Sequence, residues 1–301
     1  MPAVSAIITT FNRSRFLRKA VASVLAQEYG DFELIILDNS STDDTESVVA
    51  GFADTRIVYV RHAPMGISAA RNLGLKTARG KYVGFLDDDD EWLPGKLARQ
   101  VGLFEKSGPD VALIYGGFHR IRSDGAIYDT FAPRLRGDVF MGYVCGHDTL
   151  TGSASNPLMR RELMGKIGGY DENIKTSEDW EFYIRLASRY KFDFIAEPVL
   201  NIRAHAGARL GDRLLDAAET ELIMLGKFKE FFAAHRACRS YYLQTVGGKY
   251  CRAGECSRGR SYIAKAVADD PLNATAWAQL LFSFFGSPFF RRMHAFYKSM
   301  K

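Results

Sequence analysis

The 301-residue sequence predicts an α/β fold: a doubly wound, Rossmann-like sheet flanked by helices, followed by an all-helical C-terminal extension. Three observations carry this expectation. The first half alternates short apolar runs rich in Val and Ile with segments of helical periodicity, the cadence of βαβ units around a parallel sheet buried on both faces. Two of those runs end in acid-rich stretches, Asp38–Asp44 and Asp87–Asp90, at the carboxyl ends of strands, where ligands of open α/β sheets bind. From about Leu210 onward the patterns are helical only.

The elements follow in order. Val4–Thr9 reads as the opening strand. A helix over Ser14–Gln27 places Phe16, Leu17, Ala20, Val21, Val24 and Leu25 on one face, with Ser14 as its N-cap. Phe32–Leu37 is the second strand and Asp43–Phe52 the second helix. Arg56–Val60, a helix over Ile67–Thr77, then Tyr82–Leu86 and Val111–Tyr115 continue the alternation. Residues 116–160 hold Gly and Asp clusters and read as an antiparallel or loop-rich insertion. Helical periodicity returns at Glu181–Ser188, and Phe192–Ala196 is a further strand. Gly248–Leu281 looks like one tetratricopeptide-type helical hairpin, with Asp270-Pro271 as a break.

Composition bounds the function. With 47% hydrophobic and 25% charged residues, neither disorder nor a coiled-coil rod fits. A net charge of +5 does not by itself indicate a nucleic-acid partner, and none is expected. That charge is unevenly placed: residues 227–301 hold 13 Lys and Arg against four acids, +9, which leaves −4 on residues 1–226. Cys145, Cys238, Cys251 and Cys256 form no C-x-x-C pair, so zinc is not expected and a reducing compartment fits best. No basic n-region precedes the first strand, so no signal peptide is expected. Pro271–Phe290 carries no formal charge and approaches spanning length. Gly286 and Pro288 would break such a helix, so an interfacial segment is the better expectation. There Phe282, Phe284, Phe285, Phe289 and Phe290, beside Arg291 and Arg292, suit an anionic membrane surface. The plainer alternative is helix-on-helix packing with a solvated basic face.

Four consecutive acids, Asp87 to Asp90, directly after a buried strand repel one another unless a cation or donors compensate. Alternate carboxylates there can share one hard cation, in the manner of magnesium or manganese sites. The other reading is that Asp88 to Glu91 open a helix. The stretch Asp38–Asp44 is not an EF-hand loop, because Asp43 and Val49 stand where Gly and Glu are needed. Asp43 suits a turn and N-cap, and Asp38, nearer the strand, is placed to accept hydrogen bonds from a ligand. Phe11, within Thr9-Thr10-Phe11-Asn12-Arg13, suits stacking on a planar base. No G-x-G-x-x-G and no Walker lysine loop is present.

Taken together, Val4–Arg13, Glu33–Asp43, Ala70-Arg71-Asn72-Leu73-Gly74 and Gly80–Asp90 resemble, in order and spacing, the opening of the family-2 inverting glycosyltransferases. The likeness is strong over residues 4–100 and extends more loosely to about 205. It implies a GT-A fold in residues 1–208, with a nucleotide-sugar half of about 1–115 and an acceptor half of about 116–208, and a helical region over 209–301. It also implies that Thr9, Phe11 and Arg13 surround the base, that Asp38 bonds base or ribose, and that Arg71 belongs to the same nucleotide-sugar site. Asp87 and Asp89 would be the outer members of the family's Asp-x-Asp motif. Asp89 is then the direct ligand of Mn2+ or Mg2+ and Asp87 a ribose or water-mediated contact. The adjacent Asp88 and Asp90 leave that register open by one, with Asp88 at the donor and Asp87 a second candidate ligand. Ser177-Glu178-Asp179-Trp180 resembles the motif that supplies the base. Asp179 would take the acceptor proton, with Glu178, Trp180 and Asp171 on the acceptor side. The segment 151–156 would line that side too. Arg203-Ala204-His205 resembles a late element near the diphosphate, which makes His205 a further candidate for metal or phosphate.

The resemblance thus implies transfer from a nucleotide sugar, UDP-linked by preference, to a glycan or lipid-linked acceptor in cell-surface polysaccharide synthesis. The expected location is cytoplasmic, with peripheral contact at the inner membrane face. Two other readings stay open: a sugar-nucleotide-forming nucleotidyltransferase, which would want a Gly-rich loop after the first strand, and a noncatalytic nucleotide-sugar-binding scaffold.

Overall fold

The computed structural model describes residues 1–145, 151–204 and 213–299, with side chains described up to residue 296. Two compact units are present. The first comprises Met1–Glu172 and Phe182–Gly207, the second Asn173–Glu181 and Ala208–Lys301.

The first unit is built on β1 (Val4–Thr10), β2 (Phe32–Asp38), β3 (Ile57–Arg61) and β4 (Tyr82–Asp87), all parallel. Between them run α1 (Ser14–Leu25), α2 (Thr45–Ala50) and α3 (Ile67–Thr77). Then follow the two-residue β5 (Glu91–Trp92), α4 (Lys96–Lys106), β6 (Val111–Ile121), β7 (Ile127–Phe131), α5 (Phe140–Cys145), β8 (Leu158–Arg160) and α6 (Arg161–Ile167). After α7 (Glu178–Ala187), β9 (Lys191–Arg203) completes one sheet in the order β3-β2-β1-β4-β8-β6-β9-β5, with β7 paired to β6. The short β8 runs antiparallel to β4 and β6, so the expected antiparallel insertion joins the sheet.

β1, β2 and β4 are buried on both faces, which is why their apolar runs lack alternation. Leu17, Val21 and Val24 of α1 pack with Val4, Ala6, Ile8, Leu34 and Ile36. Ser14 does not cap this helix. Arg13 occupies the N-cap without a side-chain bond, and Ser14 is the first helical residue, its N–H donating to Asp43 across the neighbouring loop at 2.9 Å. Asp43 also accepts from Thr45 N–H at 3.1 Å at the start of α2, so one carboxylate serves two helix starts. Gly80 lets the turn into β4 lie against β1: a Cβ there would come within 2.6 Å of Ser5 N and 2.7 Å of Val4 C. Beside it Glu33 accepts from Ser5 Oγ at 2.6 Å and from Arg79 N and Nε at 2.8 Å.

The second unit holds α8 (Leu214–Lys227), α9 (Lys229–Ala234), α10 (Arg236–Ala253), α11 (Cys256–Asp269), α12 (Ala274–Phe282), a 3-10 turn (Ser283–Phe285) and α13 (Ser287–Ser299). The first turn of α7 belongs to it. α10 and α11 form a close hairpin through Gly247 and Gly259, where a Cβ on either would meet the other's carbonyl oxygen at 2.5 Å. Asn273 ends the Asp270-Pro271 break by accepting from Ala276 N–H at 3.0 Å, a side-chain N-cap for α12. Gly286, at φ +82, separates the 3-10 turn from α13. No helix among the described residues is long and apolar enough to cross a membrane.

Candidate active site

Strand register creates the site. β1 pairs Thr10 with Asp38 on one side and Thr9 with Asp87 on the other. Asp38, the Thr9-Thr10 pair and Asp87 therefore stand in a row at the carboxyl edge of the parallel sheet, the edge where such sheets bind ligands.

The acids after β4 do not open a helix: Asp90 N–H returns to Asp87 O at 3.1 Å, and α4 starts only at Lys96. Instead they make a compact, heavily bonded turn. Asp87 meets Arg71 at 3.1 Å and Ser153 Oγ at 3.2 Å. Arg71 is itself buried, its guanidinium 5.7 Å from the Phe85 ring centroid and 5.6 Å from that of Tyr170. Asp88 is buried and accepts from Thr10 Oγ1 at 2.8 Å and from Arg13 at 3.1 Å. Burial pushes its carboxyl up to about 7 and Asp89 adds to this, while Arg13 and Thr10 act in the other direction. Asp89 pairs with Arg13 at 2.9 Å. Asp90, also buried, accepts from Ser155 Oγ at 2.7 Å, Ser153 Oγ at 3.0 Å and Arg203 N–H at 3.1 Å. Burial first, then the charges of Asp87 and Asp89, hold Asp90 well above the usual carboxylate range.

Asp87, Asp89 and Asp90 bring carboxylate oxygens within 4.8 Å of one another. All the donors are oxygens, and Arg13 and Arg71 are among the groups in direct contact with them. Such a set fits a hard divalent cation.

The loop 151–156, expected to line the acceptor side, is tied to this turn. Besides the two serines, Trp92 Nε1 donates to Ser155 O at 2.8 Å. Asn156, fully buried, donates to Gly116 O at 2.8 Å and Thr151 O at 2.9 Å and accepts from Gly116 N at 2.8 Å. Lys96 donates to Asn156 O and, at 2.8 Å, to Gln100 Oε1, with burial holding its ammonium well below the usual range. The segment 151–156, expected on the acceptor side, thus places Ser153 and Ser155 against the acidic turn through Asp90, a contact that the motifs did not indicate.

On the neighbouring edge Asp38 is fully buried, with Ser41 N–H at 2.8 Å and Tyr59 OH at 2.5 Å on its two oxygens. Burial opposes its ionisation, but these two bonds outweigh it, and the carboxyl lies below its ordinary range. Asp38 therefore braces the 38–41 turn. That turn is laced to the β1 loop: Asn12 N–H donates to Ser41 Oγ at 2.9 Å and Asn12 Oδ1 accepts from Thr42 N–H at 2.7 Å. Thr9 is partly buried, whereas Phe11 is 53% exposed and presents its ring to solvent. Asn72, one residue past Arg71, holds Tyr170 O and Glu172 at 2.9 Å each, next to the partly buried Asp171.

Glu178, Asp179 and Trp180 belong to the second unit, in the first turn of α7. Glu178 is buried and Asp179 partly buried. Trp180 stacks on Tyr242 at 5.7 Å, and the fully buried Glu181 pairs with Lys227 at 2.6 Å, so the turn that bears Asp179 is fixed from two sides. His205 lies outside the described residues.

Comparison with known proteins places these features in a family. The sequence model of glycosyl transferase family 2 matches residues 5–168. The chain is 33% identical over 132 residues to an Escherichia coli enzyme, UDP-Glc:alpha-D-GlcNAc-diphosphoundecaprenol beta-1,3-glucosyltransferase WfgD, a match covering 44% of this chain and 51% of that one. Among solved structures, the 1–349 fragment of S. aureus TarS in complex with UDP-GlcNAc superposes with a TM-score of 0.72 at 15% identity, over 99% of this chain and 92% of that one. The mannosyltransferase PcManGT from Pyrobaculum calidifontis, in complex with GDP-Man and Mn2+, gives 0.60 at 17% identity, over 96% and 84%. The fold is the GT-A type that the resemblance implied.

Proposed function

The chain belongs to glycosyl transferase family 2, and from that premise we propose a metal-dependent, inverting transfer from a nucleoside diphosphate sugar to a hydroxyl of a glycan or lipid-linked acceptor. The observation that carries this reading is the Asp87–Asp89–Asp90 cluster at the sheet's carboxyl edge, with only β1 between it and the braced Asp38 turn. We infer that the nucleotide binds beside it, with the exposed Phe11 ring available for a base and the Asp38 turn as its platform. The undecaprenol-linked acceptor and UDP-glucose donor in the name of the E. coli relative, and the UDP-GlcNAc bound by TarS, favour a UDP-sugar and a lipid-linked acceptor, hence a role in cell-surface polysaccharide synthesis.

In the proposed step the Asp179 carboxylate takes the proton of the acceptor hydroxyl while that oxygen attacks the anomeric carbon. The bond from that carbon to the diphosphate oxygen breaks on the opposite face, and the nucleoside diphosphate leaves with the electron pair. Asp89, with Asp87 and Asp90 beside it, would hold the divalent cation. When bound, that ion supplies Lewis acidity toward the departing diphosphate. Arg13 and Arg71 fix the acidic turn, and the α7 contacts of Trp180 and Glu181 fix Asp179.

Asp179→Asn keeps size and shape but cannot accept the proton. It should lower transfer by about 10²- to 10⁴-fold while calorimetric affinity for UDP with manganese stays at the wild-type value. Undiminished turnover would remove Asp179 as the base.

A further inference from the structure

The second unit carries an apolar and cationic surface that the transfer reaction does not use. Of the thirteen large hydrophobic side chains that lie exposed among the described residues, seven fall between Leu272 and Phe296. Trp277, Leu281, Phe284 and Phe285 are 51–65% exposed and recur at the three- and four-residue spacing that puts side chains on one helical face. On α13, Phe289, Arg292 and Phe296 share a face by the same spacing, and all three are exposed. Ring contacts of 5.1 Å between Phe285 and Phe289, and of 5.9 Å between Phe282 and Phe289, join the two stretches.

This surface is not a loose arm. Phe290, 2% exposed, sits in a core with Leu243, Cys251, Ile263 and Ala276, and Arg291 donates to Arg252 O at 2.7 Å. α13 is therefore anchored by one side and leaves its aromatics outward. Between α12 and α13 a cavity of about 250 Å³, lined by Ala278, Gln279, Phe282, Phe290, Met293 and His294, continues the apolar surface inward.

Charge decides what the surface fits. From Pro271 to the end there is no Asp or Glu, while Arg291, Arg292, Lys298 and Lys301 are cationic. Arg260 lies 4.3 Å from the Phe284 ring centroid and adds a fifth positive group at the aromatic edge. Exposed Phe and Trp with Arg, free of carboxylates, match a lipid interface of negative potential. The helices are too short and too polar to span, so they would lie in the plane of the interface.

We propose that the α12–α13 face docks onto a bilayer surface containing anionic phospholipid, with Phe284, Phe285 and Phe289 entering the headgroup region and Arg292 at its rim. The docking is independent of the catalytic reading, because no donor or acceptor takes part in it.

The test is co-sedimentation of the full chain with phosphatidylcholine vesicles, with and without phosphatidylglycerol. Binding should require the anionic lipid and weaken as salt is raised. F284S/F285S/F289S should reduce it at least tenfold, and Arg292→Glu by about fivefold or more. All these side chains are exposed, and unchanged circular dichroism and melting of the variants would certify folding. Equal binding to both vesicle types, or triple-variant binding equal to wild type, would overturn the proposal. So would a chain that ignores vesicles but forms a dimer which the triple variant dissolves, since the face would then meet a second copy.

Discussion

Among the four consecutive acids, side-chain accessibility separates partners from props. Asp88 keeps only 6% of its side chain exposed, against 37% for Asp87 and 17% for Asp89. Asp90 is buried, with its oxygens committed to two serines and a backbone amide. Accessibility thus leaves Asp87 and Asp89 as the candidate ligands, and the Asp-x-Asp resemblance favours Asp89: Asp89→Ala should erase most of the gain that manganese gives to UDP affinity, about 10- to 100-fold, and leave the manganese-free affinity near wild type. Calorimetry with and without the ion reads both numbers, and an undiminished manganese effect would move the ligand role to Asp87. Much of this was visible in the sequence, since Arg13, Arg71 and the acid run are motif residues. Segment 151–156 was placed only on the acceptor side; the bonds of Ser153 and Ser155 to the acid run were not visible, because small polar residues in a loop have no periodicity and Asp90 lies 63 and 65 positions upstream. Tyr59 and Lys96 were hidden for a different reason: an aromatic in a strand reads as core and a lysine in a helix reads as surface, while here one bonds Asp38 and the other is wholly buried.

At the level of elements, legibility followed the apolar run. β1, β2 and β4 end within one residue of expectation because they are buried on both faces. β6 and β9, expected as five-residue strands, reach 11 and 13 residues. Their second halves carry Gly116-Gly117, His119, Arg120 and Glu197-Pro198, which interrupt the apolar signal, yet the two strands pair in parallel with register shifts around Gly116 and Gly117. Pairing there satisfies the backbone while the side chains go elsewhere, so composition gives no warning. In the helical unit the hairpin signal was its small residues, and these set opposite outcomes for one substitution. Gly259→Ala places a Cβ 2.5 Å from Gly247 O and 2.6 Å from Cys251 Sγ, so overpacking of about 1–3 kcal/mol should exceed the helix-propensity gain of about 1 kcal/mol. Gly226→Ala, in α8 with nothing near its Cβ, should receive that gain undiminished. Urea midpoints should move down for the first and up for the second; a rise for both would show that α10 and α11 separate easily.

Across the whole molecule, the net +5 divides into an acidic body, −4, and a basic end, +9, and the body's carboxylates govern how the protein meets acid. Glu33, Asp38, Asp43, Asp54 and Asp110 lie below their ordinary ranges in the folded chain, Asp43 and Asp54 at about 2. Asp88, Asp90 and Glu221 are shifted the other way, chiefly by burial. A depressed carboxyl binds its proton more readily in the unfolded chain, so its stabilisation is full above the unfolded value and is lost as pH falls through the folded one. The raised carboxyls have the opposite sign and favour the folded chain as pH drops toward about 4. Stability should therefore rise somewhat as pH falls from about 7 to 5 and fall steeply between about pH 4 and 2. Glu33 is the sharpest probe, being buried on β2 opposite Ser5 of β1, with burial opposing its charge and the bonds from Ser5 and Arg79 more than offsetting it. Glu33→Gln should lower stability by about 1–3 kcal/mol at neutral pH. The deficit should shrink toward zero once the wild-type carboxyl is itself protonated. Urea unfolding of both proteins across that range measures the convergence. Parallel curves at every pH would mean that packing around Ser5 and Gly80, rather than the charge of Glu33, holds this edge of the sheet.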